Sequence, residues 1–398
     1  MLPYLQFSSS IELHKVEKSE NYILKHNGLT LSISKLLYLI IFNMQKGKSV
    51  SDIASTVNSE RILSRNITED EILEIIKGKI LPLISDLDAS VKTNPAKNVI
   101  NLKLTLVKYE QIRLVLQLML HLFRPKVAAI GLLLGAAATL FMLHASANED
   151  SVFTISSNYY IVFLLGMFAM AIFHEFGHAT AALNFKVEPK EIGFGLYLFF
   201  PVLYADVTDI WRLSRLRRII VNLAGVYFQL ISHIILAVIW TLVNDESLRK
   251  ALVHLVVVSS TLIIININPF LKFDGYWVYV DAFSIPNLKS KSMAFMKNTM
   301  QAIFGKGHKF NWPGPALFFY STGQIIFLVF LFFAIINLTP KLFVETYEFF
   351  LNTAYLEVNS VYVYEALHKI IMCFALTFFI VSILKDAIFK FFKFIRNI

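Results

Sequence analysis

Beyond residue 126 the chain is broken into six apolar runs, at 127–145, 159–183, 216–243, 250–267, 316–338 and 364–384. Each is near the length of about 20 residues that a helix needs to cross a bilayer. Lipid offers no hydrogen bonds, so a spanning segment must satisfy its own backbone, as a helix does. The chain therefore reads as mainly α, a polytopic helical membrane protein of about six spans. Composition agrees, with 56% hydrophobic and 16% charged residues, against about 25% charged in a typical soluble domain. A formal net charge of +9 would suit a nucleic-acid binder. Here, however, the Lys and Arg residues lie between apolar runs rather than on one polar face. That excess reads as topology and attraction to anionic lipid, so the lipid bilayer is an expected partner and nucleic acid is not. The single cysteine, Cys373, excludes a disulfide framework and a Cys-based zinc cluster. The opening MLPYLQFSSSIELHK has no basic region followed by an apolar stretch, so no cleaved signal peptide is expected.

Loop charge sets orientation through the excess of Lys and Arg on cytoplasmic loops. Arg124 and Lys126 precede the first span, while the loop 146–158 carries Glu149 and Asp150 and no Lys or Arg. Residues 186–218 are basic through Lys186, Lys190, Arg212, Arg215, Arg217 and Arg218, and 285–312 through Lys289, Lys291, Lys297, Lys306 and Lys309. The tail KDAIFKFFKFIRNI is basic again. Arg249 and Lys250 in a short outer turn dissent, offset by Asp245 and Glu246. The expectation is a multi-pass protein of the cell membrane with both termini in the cytoplasm.

Residues 1–95 are mixed and mostly polar. NYILKHNGLTLSIS alternates about Asn27-Gly28 and predicts a hairpin. KLLYLIIFNMQ predicts a helix, and SVSDIASTVN a short one with Ser and Asp at its start. ITEDEILEIIKGKILPLISDL opens with Thr68 and Glu71 at capping-box spacing, ahead of Ile72, Ile75, Ile76 and Ile80. A hairpin and three short helices make a small winged-helix-like α+β domain. Residues 96–126 read as a linker and an amphipathic helix, LVLQLMLHLFRPK, leading into a membrane domain over 127–398.

The chemistry lies in two segments. In His174-Glu175-Phe176-Gly177-His178 the histidines are four apart, so a helix puts them on one face, where neutral imidazoles can share one zinc ion. Glu175 stands beside them as a candidate catalytic base. Two histidines and a glutamate inside a span are expensive and mark a functional site. Catalytic zinc usually takes three protein ligands and a water. The candidates for the third are His233, His254, Cys373, Asp206, Asp209 and Asp274. His233 and His254 lie in apolar spans without a polar constellation and read better as core or helix-bridging residues. Asp274 sits in NINPFLKFDGYW, where Asn268-Pro269 breaks an apolar helix, and irregular backbone at membrane depth belongs where it lines a watery cavity. EIGFGLYLFFPVLYADV, apolar and glycine-bearing, is too short between charges for a span. It reads as a membrane-edge hairpin that holds a substrate extended.

Together the two segments resemble the intramembrane zinc metalloproteases of the site-two protease family, which carry HExxH in one span and a later Asn-Pro stretch ending in Asp-Gly. The resemblance covers about residues 125–285, with a core at about 159–283. It implies His174, His178 and Asp274 as Zn²⁺ ligands and Glu175 as the catalytic base. RRIIVNLAGVYFQLI resembles that family's third element, with Val226 where proline is common and Gln229 where asparagine is common. On that basis Gln229 and Asn268 are candidate substrate-binding residues. Residues 12–90, through GLTLSISKLLYLIIFNMQKGKSVSDIASTV, are similar to the PqqD-like domains that hold the leader of a ribosomally made precursor peptide. The resemblance implies that the leader adds as a strand at the hairpin edge. The whole arrangement is similar to the peptide zinc metalloproteases of bacterial peptide-maturation operons. The expected activity is intramembrane zinc metalloendopeptidase, acting on a peptide or protein substrate. The competing readings are a protease of membrane-anchored signalling proteins and a non-catalytic peptide transport or immunity protein. An intact HExxH with Asp-Gly argues against the last.

Overall fold

The computed structural model describes residues 11–15, 22–26, 29–62, 64–84, 100–147, 157–197, 200–303 and 312–353. These form two compact units, the first of residues up to Asn101 together with Thr208–Ser214, the second of the remainder.

In the first unit, β1 (Ile11–Lys15), β2 (Tyr22–His26) and β3 (Leu29–Ile33) form an antiparallel sheet in that order. Leu24 pairs with Leu13 on one side and Leu31 on the other, and is fully buried. The β2–β3 pairing is the predicted hairpin; its turn residues Asn27 and Gly28 lie outside the described residues. Strand β1 was not foreseen in the sequence. Three helices follow, α1 (Lys35–Gln45), α2 (Val50–Ser59) and α3 (Glu69–Ile75), the last running into a π turn at Ile76–Ile80. Their starts are fixed by side chains. Ser34 accepts from the Leu37 N–H at 3.3 Å, and Ser49–Asp52 and Thr68–Glu71 form reciprocal capping boxes. Each such cap stabilises a helix by roughly 0.5–2 kcal/mol. Apolar residues at helical spacing, Ile40, Ile41, Ile53, Ile72 and Ile80, close the core over the sheet. Thr208–Ser214 joins this unit through Trp211, whose ring meets His14 edge-on at 4.1 Å.

The second unit runs β4 (Ile100–Lys108, of which Leu102 onward falls in this unit), α4 (Tyr109–Met119), α5 (Pro125–Ala147), α6 (Ser157–Asn184), β5 (Glu191–Tyr197), β6 (Phe200–Ala205), α7 (Arg215–Leu242), α8 (Glu246–Ile267), α9 (Asp274–Phe283), α10 (Leu288–Ile303) and α11 (Pro315–Thr353). Among the described residues, five helical segments are long and apolar enough to cross a membrane: Pro125–Ala145, Tyr159–Asn184, Arg215–Leu242, Glu246–Ile267 and Pro315–Ala334. They coincide with the first five apolar runs. The sixth, 364–384, lies outside the described residues, as do Cys373, the basic tail and most of the loop 146–158. Mainly helical architecture with a small N-terminal sheet is thus observed.

Helix α7 is the central post. Gly131 and Gly135, one turn apart on α5, face Tyr227 and Leu230 of α7; a Cβ on Gly135 would stand 2.7 Å from the Leu230 Cβ. Gly177 on α6 presses on Ala224 in the same way. Small residues let backbones approach where lipid supplies no hydrophobic drive between helices. The expected hairpin is β5–β6, antiparallel with Ile192 opposite Ala205, and β4 adds a third strand in the order β4-β5-β6. The linker reading of 96–126 missed β4, although INLKLTLVK alternates at period two. Tyr109, Ile112 and Leu116 of α4 pack with Ala179 of α6 and Ile192 of β5, fixing the sheet beside the end of α6.

Candidate metal centre

Helix α6 places His174 and His178 one turn apart, with their Nε2 atoms 3.1 Å from each other. The third member comes from a break in the chain. Helix α8 stops at Ile267, and the Asn268 Oδ1 accepts from the Phe270 N–H at 2.9 Å, turning the backbone at Asn268-Pro269. Gly275 then lies against the Ile267 carbonyl with no space for a Cβ. This fold-back makes Asp274 the first residue of α9 and brings its Oδ2 to 3.2 Å from His174 Nε2 and 3.4 Å from His178 Nε2.

The far side of each imidazole is engaged. His178 Nδ1 donates to the Val221 carbonyl at 2.8 Å, and His174 Nδ1 lies 3.0 Å from Gln229 Oε1. With both ring protons directed outward onto oxygen, both Nε2 lone pairs point at the carboxylate. Asp274 Oδ2 is buried and, despite its short distances to the rings, has no partner in hydrogen-bond geometry. Three acceptors converging without a proton between them would repel, and a cation resolves that. Ligand atoms about 2.0–2.1 Å from a tetrahedral zinc stand roughly 3.3 Å apart, which the three separations match. The donor set, two imidazoles and one carboxylate, fits zinc. Oxygen acceptors behind metal-binding histidines are what fix tautomer and ring orientation at such sites.

Gly225 of α7 forms the wall of this cluster. A Cβ there would lie 2.5 Å from the Nε2 of both His174 and His178. The sequence offered one signal, a glycine inside an apolar helix, which costs about 1 kcal/mol relative to alanine and so calls for a packing reason. Gly225→Ala should displace the imidazoles. Overpacking of this kind costs about 1–3 kcal/mol, roughly tenfold to a hundredfold in zinc affinity. Competition of the purified variant against a zinc chelator measures it, and wild-type affinity would show that the rings have room to give.

Glu175 is buried beside the histidines, with the backbone of Ala205 of β6 close to its carboxyl group. The register explains this contact. Asp206 N–H donates to the Glu191 carbonyl at 2.8 Å, so Ile192 and Ala205 form a non-hydrogen-bonded pair. By alternation the N–H groups of Ala205 and Leu203 point to the outer edge of β6, and Pro201, which lacks one, occupies the next outward position. Among the described residues β6 is therefore an edge strand, and its outer side runs toward Glu175. The opposite side of the hairpin is tied to β4, where Thr105 donates to Glu191 of β5 at 2.5 Å, and within the hairpin Tyr204 of β6 donates to the same carboxyl at 2.8 Å. Those two hydroxyls hold the Glu191 carboxyl below its ordinary range. Burial, with Glu191 as its acceptor, pushes the Tyr204 hydroxyl up to about 12.

Other candidate residues lie elsewhere. His233 bridges helices, with Nδ1 2.7 Å from Thr139 Oγ1 and Nε2 3.0 Å from Ser259 Oγ. His254 packs edge-on against Phe163 at 5.1 Å. Asp206 closes the β5–β6 hairpin through its backbone, and Asp209 lies in the turn Thr208–Arg212. Both substrate-binding candidates are occupied locally: Asn268 turns the chain as described, and Gln229 is buried with Oε1 on His174 and Nε2 3.4 Å from Ser259 Oγ. Arg218, read in the sequence as loop charge, donates through Nε to Asp281 Oδ1 at 2.8 Å, with Nη2 at 2.6 Å. Asp274 and Asp281 are seven residues apart and share a face of α9, so this pair clamps α9 to α7 and holds Asp274 at the histidines.

Among the described residues, five helices long and apolar enough to cross a membrane and a His-His-Asp group that could hold a metal ion are consistent with a metalloprotease-like membrane protein. No protein-family model and no solved structure matches the chain. Among curated proteins, the chain is similar to "Putative peptide zinc metalloprotease protein YydH" of Bacillus subtilis (strain 168), at 24% identity over 146 residues, which is 36% of this chain. The matched stretch spans 57% of that relative's own length.

Proposed function

We propose that the chain is an intramembrane zinc metalloendopeptidase of the site-two protease type that cleaves or matures a ribosomally made peptide. The observation that carries this reading is the convergence of His174, His178 and Asp274 beside Glu175 at the free edge of β6. The similarity to a protein named as a peptide zinc metalloprotease supports it.

His174, His178 and Asp274 would hold the ion, with Val221, Gln229 and Gly225 fixing the rings. Zinc bound there would act as a Lewis acid toward the scissile carbonyl and make water acidic enough to attack at neutral pH. Glu175 takes the proton of the attacking water and delivers it to the departing amine. A helical substrate hides its carbonyls in its own hydrogen bonds. Pairing as a strand with the outward N–H and C=O groups of Leu203 and Ala205 exposes one peptide bond next to Glu175. This also answers how hydrolysis proceeds in a membrane span: His174 and His178 lie in the last turns of α6, toward an end that the loop charges assign to the cytoplasm, where water enters.

The organisation proposed is a leader-binding PqqD-like domain over 1–95, a connecting segment over 96–126 and a membrane domain from 127, with both termini cytoplasmic. Strand β3 forms one edge of the N-terminal sheet, while at the other edge Gln45 donates to the Ile11 carbonyl at 2.8 Å. The leader would add along β3 near Leu31 and Ile33; because the Ile11 carbonyl points away from β2, alternation leaves the N–H and C=O groups of Thr30 and Ser32 facing outward to pair with it.

The test is cleavage of a precursor peptide by the full-length protein in liposomes. Chelation should abolish cleavage and added zinc should restore it; cleavage that survives metal removal would refute the reading. Deleting residues 1–95 should slow cleavage of the full precursor far more than that of a leaderless core fragment at high concentration, because tethering acts as effective concentration. Equal rates on the full precursor would leave this domain without a role in recognition.

A further inference from the structure

His233 is wholly buried in the middle of α7, among apolar helices, and no step above uses it. If packing alone were needed there, an apolar residue would serve as well, without a buried polar ring to satisfy. Its two nitrogens instead stand in a continuous series of hydrogen bonds that ends at a metal ligand. Thr139 Oγ1 donates to the Gly135 carbonyl at 2.7 Å and lies 2.7 Å from His233 Nδ1. His233 Nε2 is 3.0 Å from Ser259 Oγ, Ser259 Oγ is 3.4 Å from Gln229 Nε2, and Gln229 Oε1 is 3.0 Å from His174 Nδ1.

The protons in this series have one consistent assignment. The Gly135 carbonyl can only accept, so the Thr139 hydroxyl spends its proton on it and accepts from His233 Nδ1–H. His233 Nε2 is then a lone pair, and Ser259 donates to it. Ser259's own lone pair takes the Gln229 amide N–H. That leaves the amide oxygen, rather than the amide nitrogen, facing His174. The consequence is chemical. With oxygen there, His174 carries its proton on Nδ1 and offers a lone pair at Nε2, the atom that faces Asp274. With the amide turned over, Nδ1 would accept, Nε2 would carry the proton, and His174 would be no ligand.

We propose that His233 is a positioning residue of the metal centre, acting through Ser259 and Gln229 to hold His174 in its metal-binding tautomer. Residues from four helices are involved: Thr139 on α5, His174 on α6, Gln229 and His233 on α7, and Ser259 on α8. Ser259 and Gln229 are as buried as His233, so no solvent can replace a lost partner. The proposal rests on the zinc-site reading of His174, and its test separates the two.

The full-length protein in detergent is titrated with zinc against a competing chelator, and its Co²⁺-loaded form is examined by visible absorption. Partners behind a metal ligand typically contribute 10–100-fold in affinity. Ser259→Ala and His233→Leu should each weaken zinc by about tenfold, and both should alter the Co²⁺ d–d bands. Ser259→Thr, which keeps the hydroxyl, should match wild type, and so should His254→Leu, a partly buried histidine on α8 that stands outside this series. His233→Leu added to Gln229→Leu should weaken zinc no further than Gln229→Leu alone, because His233 acts through that amide. Where His233→Leu does not fold, Ser259→Ala with its Thr control decides the matter. Wild-type affinity and bands in Ser259→Ala, a lowered melting temperature being the sole change, would overturn the proposal. Additive losses in the double variant would overturn it as well. A wild-type protein that takes up no zinc would instead overturn the metal-site reading, and this proposal with it.

Discussion

Glu175→Gln should retain one zinc per chain and its fold, yet cleave peptide about 10²–10⁴-fold more slowly, the usual contribution of a general base. The amide keeps the size of the side chain and its place beside Ala205 but cannot accept the proton of the attacking water. Glu175 is not among the three converging ligand atoms, so its loss should leave metal binding intact. Rates over a range of substrate concentrations separate the effects. A fall in kcat with little change in KM is the expected pattern, whereas a wild-type kcat would assign the proton transfer to another group.

The second large effect is on the ion. His174→Ala, His178→Ala and Asp274→Ala each remove one of the three proposed ligands, which should cost more than the tenfold to hundredfold typical of residues behind a ligand. The purified variants should come out essentially zinc-free and inactive. Asp274→Ala is the most informative of the three. A histidine pair four apart on a helix can hold some metal without help, whereas the aspartate contributes only because the Asn268-Pro269 break folds it back onto that pair. Near-stoichiometric zinc in Asp274→Ala would remove it from the site. Arg218→Ala should produce a partial version of the same loss, since it frees α9 without touching a ligand.

The convergence of His174, His178 and Asp274 was legible in one sequence because the chemistry of a candidate metal site restricts residue type and helices restrict spacing. His174, Glu175 and His178 announce themselves by a four-residue repeat, and Asp274 by the helix break before it. The five described helices long and apolar enough to cross a membrane follow from hydropathy alone, and the Ser49 and Thr68 caps from local hydrogen bonding. What surrounds the histidines was not legible. Gly225, Gln229 and Ser259 gain their meaning from the rotation and depth at which α6, α7 and α8 meet, and a single chain does not display that register. Gln229 and Asn268 are expected at the substrate; the structure gives their local contacts, Gln229 Oε1 at 3.0 Å from His174 Nδ1 and Asn268 Oδ1 accepting from the Phe270 N–H at 2.9 Å, which the sequence did not display. Arg218 was hidden by its neighbours, because among Arg212, Arg215 and Arg217 it reads as one more loop charge. Strand β4 went unread for a different reason: its Leu104 and Leu106 are half exposed, so its alternation pointed to no obvious core.

Zinc K-edge absorption of the purified full-length protein tests the central claim most directly, because it reports ligand type without reference to activity. The account predicts a shell of nitrogen and oxygen at about 2.0–2.2 Å with imidazole outer scattering from two histidines, lost in the Asp274→Ala and His178→Ala proteins. A sulfur shell near 2.3 Å, or zinc that persists with both ligands removed, would contradict it.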